Sequence, residues 1–384
     1  MSERSGAGDR LRVLLLFGGR SAEHDVSRVS AVTAAAALDP ERYEVVPIAI
    51  TKEGRWLLAD EARAALDGGR DALPAAFSVQ GAPVAELSDP TTRELVTLEP
   101  AGTAPARVAF DVVVPLLHGP YGEDGTVQGL FELAGVPYVG SGVVGSAVAM
   151  DKVMMKRAFA AAGLPTPAHL TWREGHDLHG FTLLVEAELG YPCFVKPANL
   201  GSSVGVSKAR DREQLLAAVE RAAAFDEWVL VEEEIVGREI EVGILGDDPP
   251  EASLPGEVVP GDDFYTYADK YERDEAQLLA PAPLTAAETA TAQDLAVRAF
   301  EACRCEAMAR VDFFLEERAA DGSAGRGFLV NEVNTIPGLT AISMYPRLWE
   351  LSGVSYSELF DRLIELALAR HERRARRAGR QRDE

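Results

Sequence analysis

Two oxygen ligands stand two residues apart in Asn331-Glu332-Val333-Asn334-Thr335-Ile336-Pro337-Gly338, directly after the apolar run Phe328-Leu329-Val330. Side chains at i and i+2 of a strand share a face. Glu332 and Asn334 therefore point together, Val333 points away, and the Thr-Ile-Pro-Gly that follows breaks the strand into a loop. A second β-rich segment, Ala309 to Leu315, puts Arg310 and Asp312 on one face in the same way. On adjacent strands, Asp312, Glu332 and Asn334 could hold one or two Mg²⁺ ions against a polyphosphate, because Mg²⁺ takes oxygen ligands and shares its shell with substrate phosphates. The plain alternative is a set of solvated strand residues, but an acid within so apolar a strand needs a partner.

A second constellation begins at Lys196, at a strand end, and runs through Pro197-Ala198-Asn199-Leu200-Gly201-Ser202-Ser203-Val204-Gly205. Glycines and serines let backbone N–H groups approach phosphate oxygens, and the lysine adds a point charge. The lysine precedes the glycines, so this is not a Walker A loop. An ordinary hairpin turn would explain Gly201 and Gly205 but not a lysine embedded in an apolar strand. Lys152, near the start of its helix, could reach the same phosphates; alone it reads as a surface lysine. The segment Trp228 to Glu239 runs from a buried strand into a connection and bears Glu232, Glu233, Glu234 and Glu239. Such a connection can offer backbone groups to an adenine edge while Glu239 accepts ribose hydroxyls, and Glu232 is counted with it among the nucleotide-binding residues.

The elements that must position these groups read as follows. Leu11 to Phe17 is an apolar run ending in Gly18-Gly19, followed by an alanine-rich helix around Ala31 to Leu38: strand, glycine turn, helix, the opening of an open α/β sheet. Tyr43 to Ile50 and Phe110 to Leu117 supply further strands, and residues 60–105 between them read as peripheral loops and short edge strands. A helix is expected over Thr126 to Ala134 and another over Asp151 to Ala162, the latter ended by Gly163 before Pro165. Strands at Cys193 to Lys196, Gly205 to Lys208 and Trp228 to Glu232 form a smaller α+β unit; longer strands and closing helices from Ser355 complete the chain.

At 384 residues and 47% apolar composition the chain can bury two or three domains. Its formal charge of -23 argues against nucleic acid, whose phosphates need a basic face. The one basic run, with Arg370, Arg373, Arg374, Arg376, Arg377, Arg380 and Arg382, reads as a solvated, frayed helix end. Cys193, Cys303 and Cys305 match neither a zinc knuckle nor a redox pair and are expected reduced and packed. The N-terminus has no apolar signal region and no later segment has the length of a membrane span, so a cytoplasmic protein without membrane insertion is expected.

Five motifs, in order, carry a resemblance over nearly the whole chain. They are Phe17-Gly18-Gly19-Arg20-Ser21-Ala22-Glu23-His24-Asp25-Val26-Ser27, Leu117-His118-Gly119-Pro120-Tyr121-Gly122-Glu123-Asp124-Gly125, the serine loop, Asp269-Lys270-Tyr271, and the Asn-Glu-Val-Asn-Thr-Ile-Pro-Gly segment. Together they resemble the D-alanine–D-alanine ligases of the ATP-grasp superfamily. The resemblance implies an ATP-grasp fold of mixed α/β and α+β type, preceded by an open parallel α/β domain. The expected divisions are residues 1–140, a central subdomain 141–235, a C-terminal subdomain 236–370 with a lid over 257–277, and a basic tail 371–384.

The resemblance also implies roles. Glu23 would pair with the ammonium of a first D-alanine, with His118 near that subsite, and Glu23, Ser202 and Tyr271 would form a hydrogen-bonded triad. Lys270 would touch the γ-phosphate of ATP, and Arg310 would stabilise charge developing on an acyl phosphate and tetrahedral intermediate. Gly338, Ser343 and the Met344 backbone would hold the carboxylate of the second substrate. ATP, two Mg²⁺ or Mn²⁺ ions, a monovalent cation such as K⁺ and a homodimer are the family's expected accompaniments. Taken singly, Glu23 also reads as a helix N-terminal acid, His118 as a satisfied core histidine, and Tyr271 as a packed loop aromatic. The rival functions are a D-alanine–D-lactate ligase, which would lack the tyrosine at 271, a D-alanine–D-serine ligase, and a nucleotide binder without catalysis. The last sits poorly with Arg310, Asp312, Glu332 and Asn334 all being present.

Overall fold

The computed structural model describes residues 10–69, 73–85, 92–98, 106–259, 277–319 and 322–377. Strand β1 (Leu11–Gly18), helix α1 (His24–Ala37) and strand β2 (Tyr43–Ile50) open the chain. Then come β3 (Trp56–Leu58), α2 (Asp60–Asp67), β4 (Ala82–Pro83), the hairpin β5 (Glu94–Val96) and β6 (Arg107–Ala109), and β7 (Val112–Pro115). Val13 to Phe17 are wholly buried, as a strand covered on both faces requires. β1 runs parallel to β2 and to β7 in a sheet of order β4-β3-β2-β1-β7, with β3 and β4 antiparallel at one edge. The expected parallel core is present, with an antiparallel border. The stretch expected as loops and edge strands also contains α2: Ala62, Ala64, Ala65 and Leu66 favour helix, and short length leaves them little periodicity to read.

Helices α3 (Thr126–Leu133), α4 (Val143–Met150) and α5 (Lys152–Ala161) follow. Asp151 caps α5, its carboxylate accepting from Val153 N at 2.9 Å and Met154 N at 3.0 Å, which fixes Lys152 in the first turn. Strand β8 (His169–Arg173), helix α6 (Leu178–Glu188), strands β9 (Cys193–Pro197) and β10 (Ser207–Ala209), helix α7 (Arg212–Ala223) and strand β11 (Trp228–Glu233) make an antiparallel sheet of order β10-β9-β11-β8. Its apolar face packs on α6 and α7 through Val195, Val229, Phe181 and Leu215.

The last unit comprises β12 (Arg238–Leu245), β13 (Glu251–Ala252), β14 (Gly256–Val259), β15 (Gln277–Leu279), α8 (Ala286–Ala302), β16 (Met308–Arg318), β17 (Ala324–Asn334), α9 (Met344–Leu351) and α10 (Tyr356–Ala375). Its sheet runs β15-β14-β12-β16-β17, with β13 beside β12. Met155 and Phe159 of α5 share its core with Phe300, Val311 and Val333, so α5 is anchored on this large sheet. Helix α10 reaches back to the first sheet, where Leu359, Phe360 and Leu363 pack with Val13 and Leu15.

The arginine run corrects one expectation. Arg370 is buried, donating to the carbonyls of Tyr138 at 2.6 Å and Gly140 at 2.5 Å, with its guanidinium over the Tyr138 ring. Arg373 pairs with Asp247, and Arg374 with Glu132 and Glu306. Arg370 anchors α10 from a buried position, Arg373 and Arg374 add exposed ion pairs from its last turn, and Arg380 and Arg382 lie outside the described residues. All three cysteines are free and buried, as expected. No helix among the described residues is long and apolar enough to cross a membrane.

Candidate active site

The cation face is built by strand register. β16 and β17 pair antiparallel with Arg310 opposite Asn334 and Asp312 opposite Glu332, and directly opposed residues share a face. A register shift follows Asp312, leaving Asn331 as the extra residue of a bulge. Bulges of this kind are frequent beside active sites, where they re-aim side chains. Arg310 grips Asp312 with Nε and Nη2, both at 2.7 Å, and Asn334 Nδ2 donates to Asp312 Oδ2 at 2.9 Å. Glu241, opposite Asp312 on β12, lies 3.3 Å from Arg310 Nε. Burial opposes the Arg310 charge, but Asp312 and Glu241 outweigh it and hold the pKa above its ordinary value. Among the described residues no three His, Cys, Asp or Glu side chains are arranged to hold a metal ion; the oxygens expected to meet a cation, those of Asp312, Glu332 and Asn334, share this face with Glu241. That set fits a hard cation whose remaining sites go to water and substrate oxygens.

One cavity joins the two antiparallel sheets and is lined by Lys152, Lys196, Ser202, Glu232, Glu239, Arg310, Asp312 and Glu332, with Phe194, Phe313 and Phe314 as apolar wall. The serine loop enters it with Ser202 and Ser203 at φ of 51° and 58°, a left-handed backbone that non-glycine residues adopt at a cost. Asp226 holds Asn199 through its backbone and side-chain nitrogens, both at 2.8 Å. Lys152 is tied to the same loop, its Nζ donating to the Leu200 carbonyl at 2.5 Å.

Glu232 lies on a strand, as the sequence reading places it, but its surroundings were not foreseen. It is the penultimate residue of β11, is 2% exposed, and stands between two ammonium groups: Lys156 at 2.7 Å and Lys196 in direct contact. Burial would raise its pKa, but Lys156 and Lys196 outweigh burial and pull it down to about 2. The carboxylate's contacts are thus lysines that face the cavity or stand behind it. Lys156 was not singled out in the sequence, although it follows Lys152 by one helical turn; Glu241 was missed because only the β12–β16 register reveals it.

On the other side of the cleft, Glu23 precedes α1 and accepts a hydrogen bond from Ser202 Oγ, across 179 positions of sequence. His118 is buried, with Nδ1 3.0 Å from the Ile336 carbonyl and Nε2 3.3 Å from Ser30 Oγ; burial lowers its pKa and favours the neutral ring. Glu123, given no role from sequence, accepts from Gly119 N at 2.7 Å and Ile336 N at 2.8 Å and so ties the His118 loop to the end of the cation strand. A Cβ at Gly338 would stand 2.8 Å from Ser343 Oγ, so a larger residue there would displace that hydroxyl. Ser343 precedes α9 but bonds Thr340 through its Oγ at 3.1 Å and 2.7 Å, so it provides no side-chain cap. The α9 N-terminus, beginning at Met344, keeps amide donors that suit a carboxylate. Lys270 and Tyr271 lie outside the described residues.

Two antiparallel sheets lining one lysine- and carboxylate-rich cavity, behind a mainly parallel α/β unit, define the ATP-grasp class. The chain belongs to the D-alanine–D-alanine ligase family: residues 12–141 match the family described as D-ala D-ala ligase N-terminus and residues 158–365 the one described as D-ala D-ala ligase C-terminus. It is 46% identical over 367 residues to a D-alanine–D-alanine ligase of Bacillus cytotoxicus, an alignment spanning 94% of this chain and 97% of that one. The solved D-alanine–D-alanine ligase of Coxiella burnetii superposes with a TM-score of 0.80 at 35% identity, covering 95% and 96% of the two chains. A D-Ala:D-Ser ligase of Enterococcus faecalis superposes at 0.79 with 31% identity, covering 94% and 100%.

Proposed function

We propose that the chain joins two D-alanine molecules into D-alanyl-D-alanine, a building block of peptidoglycan, while ATP becomes ADP and phosphate. A carboxylate is a poor electrophile. Transfer of the γ-phosphoryl group of ATP to an oxygen of the first D-alanine gives D-alanyl phosphate and ADP. The amine of the second D-alanine, having lost a proton, then attacks the carbonyl carbon, and phosphate leaves as the amide forms.

In this reading Glu23 pairs with the first ammonium, and Ser202 and Tyr271 hold Glu23 in place beside neutral His118. Lys152, Lys196 and Lys270 bind the phosphates, Glu239 takes the ribose, and Glu232 sets the lysines. Arg310 stabilises the negative charge that develops at the reacting carbon and phosphorus. Gly338, Ser343 and the Met344 N–H receive the second carboxylate. Asp312, Glu332 and Asn334 would hold Mg²⁺ or Mn²⁺, as two ions, whose charge neutralises the polyphosphate. Excluding water from the acyl phosphate is the task assigned to the segment 257–277. A K⁺-type ion near the phosphates, a homodimer and a cytoplasmic setting complete the proposal.

The observation that carries it is the Glu23–Ser202 contact. Ser202 belongs to the loop assigned to the nucleotide, so an amino acid held by Glu23 presents its carboxylate to that nucleotide. The test is ATP-dependent phosphate release with Mg²⁺ and D-alanine alone, then with D-serine or D-lactate added, with products identified by mass. D-alanyl-D-alanine formed in the presence of either competitor supports the assignment. A mixed product moves it toward the D-serine or D-lactate type, and ATP binding without turnover overturns it.

A further inference from the structure

Lys156 is 1% exposed, lies in α5, and does not itself line the cavity. Its ammonium meets Glu232 Oε1 at 2.7 Å and the Val330 carbonyl at 3.5 Å. Neighbouring Met155 and Phe159 pack into the apolar core of the large sheet. A buried lysine in such a place is costly unless its charge is used, since apolar replacement of buried ion pairs is often neutral or stabilising.

Its use follows from counting charges around Glu232. One carboxylate contacts two ammonium groups, Lys156 behind and Lys196 in front. Among the described lysines, only Lys196 and Lys152 line the cavity. Without Lys156, Glu232 and Lys196 would form a closed neutral pair, and an anion arriving in the cavity would meet no net charge from them. With Lys156 in place the trio carries one net positive charge, and the member facing the cavity is Lys196.

We propose that Lys156 is a positioning residue for the nucleotide: it neutralises Glu232 from behind, so that Lys196 keeps its charge for the phosphates. The inference rests on the assignment of Lys196 to those phosphates. Removing the Lys156 charge weakens phosphate-bearing ligands and spares the nucleoside.

The test measures binding of ADP with Mg²⁺, and of adenosine, to the full-length protein by calorimetry, with thermal melts alongside. Lys156→Met and Lys156→Gln should each weaken ADP by about tenfold, the size of one charge at a few ångströms once water screens it, while adenosine binds as before. Lys156→Gln keeps a donor to Glu232 and the Val330 carbonyl. A purely structural lysine would therefore leave it with near-normal ADP affinity, and that result overturns the proposal. Equal weakening of ADP and adenosine overturns it too. If neither variant folds, Lys156→Met combined with Glu232→Gln carries the test: Lys196, freed of its carboxylate, should bind ADP within about threefold of the original protein, and tenfold weaker binding counts against the idea. Lys196→Met separates the underlying assignment, because unchanged ADP affinity there would remove Lys196 from the phosphates altogether.

Discussion

Glu232 and Glu123 are two carboxyls enclosed by the same molecule and driven in opposite directions. Glu232, on the nucleotide side, sits between Lys156 and Lys196 and is pulled down to about 2. Glu123, on the side proposed for the amino acid, accepts from the backbone N–H groups of Gly119 and Ile336. Burial and then the nearby Glu23 push it up to about 8, the bonds from Gly119 and Ile336 pulling back less strongly. The difference lies in the partners. Two cations outweigh desolvation; two amides do not. The half proposed for the nucleotide therefore keeps Glu232 ionised and holds the Arg310 charge, even as burial lowers the pKa of Lys152 and Lys156, whereas the half proposed for the amino acid holds a group that titrates near neutrality.

The sharpest break of the half proposed for the nucleotide is Asp312→Asn, which removes one charge from the cation face and from the Arg310 fork at once. Phosphate release at saturating ATP and D-alanine should fall by about a thousandfold or more; retention of a tenth of the rate would mean that this face does not serve the chemistry. Next in size is Glu232→Leu. It leaves Lys156 buried without its carboxylate and should cost about 3–5 kcal/mol in urea unfolding, the range found when one partner of a buried pair is removed. A loss below about 1 kcal/mol would show that the two lysines do not depend on Glu232.

These two halves were unequally legible in the sequence. The cation face could be read because Arg310, Asp312, Glu332 and Asn334 lie on two strands with a period of two, and each pair needs only local geometry. Glu241 and the Asn331 bulge depend on how β12 and β17 register against β16, which no local pattern encodes. Glu232 was read at the end of a strand among the nucleotide-binding residues; only the arrival of α5 behind that strand makes it a counterion of Lys156. The arginine run misled for a related reason. A charged helix end usually faces water, but Arg370 meets the Tyr138 carbonyl 232 positions away. The Glu23–Ser202 pair was accessible only through resemblance, since its partners come from different units.

On the amino-acid side the effects are expected to be smaller. Ser202→Ala deletes the hydroxyl that holds Glu23 and should lower kcat/KM for D-alanine by about tenfold, as losing a hydrogen bond to a charged group does. The KM for ATP should move little; an equal loss in both would place Ser202 chiefly at the nucleotide.

Glu123→Gln should matter least near neutral pH, where the native side chain is largely protonated already, and its signature is a slope. A carboxyl whose folded-state pKa is raised from 4.5 to about 8 binds its proton more tightly in the folded chain. Its contribution is whole below the unfolded value and is lost as pH rises through the folded one. Glu232, lowered from 4.5 to about 2, behaves in the opposite sense: its contribution is whole above 4.5 and disappears as pH falls toward 2. Melting temperatures of the original protein and Glu123→Gln, followed from about pH 5 to about pH 9, should therefore not run parallel. Whatever the offset between them at pH 5, the glutamate form loses ground steadily as alkali draws its proton, because the amide has none to lose. Parallel curves would mean that two backbone amides keep Glu123 ionised as effectively as two lysines keep Glu232, and the contrast between the halves would then rest on hydrogen-bond geometry instead of charge.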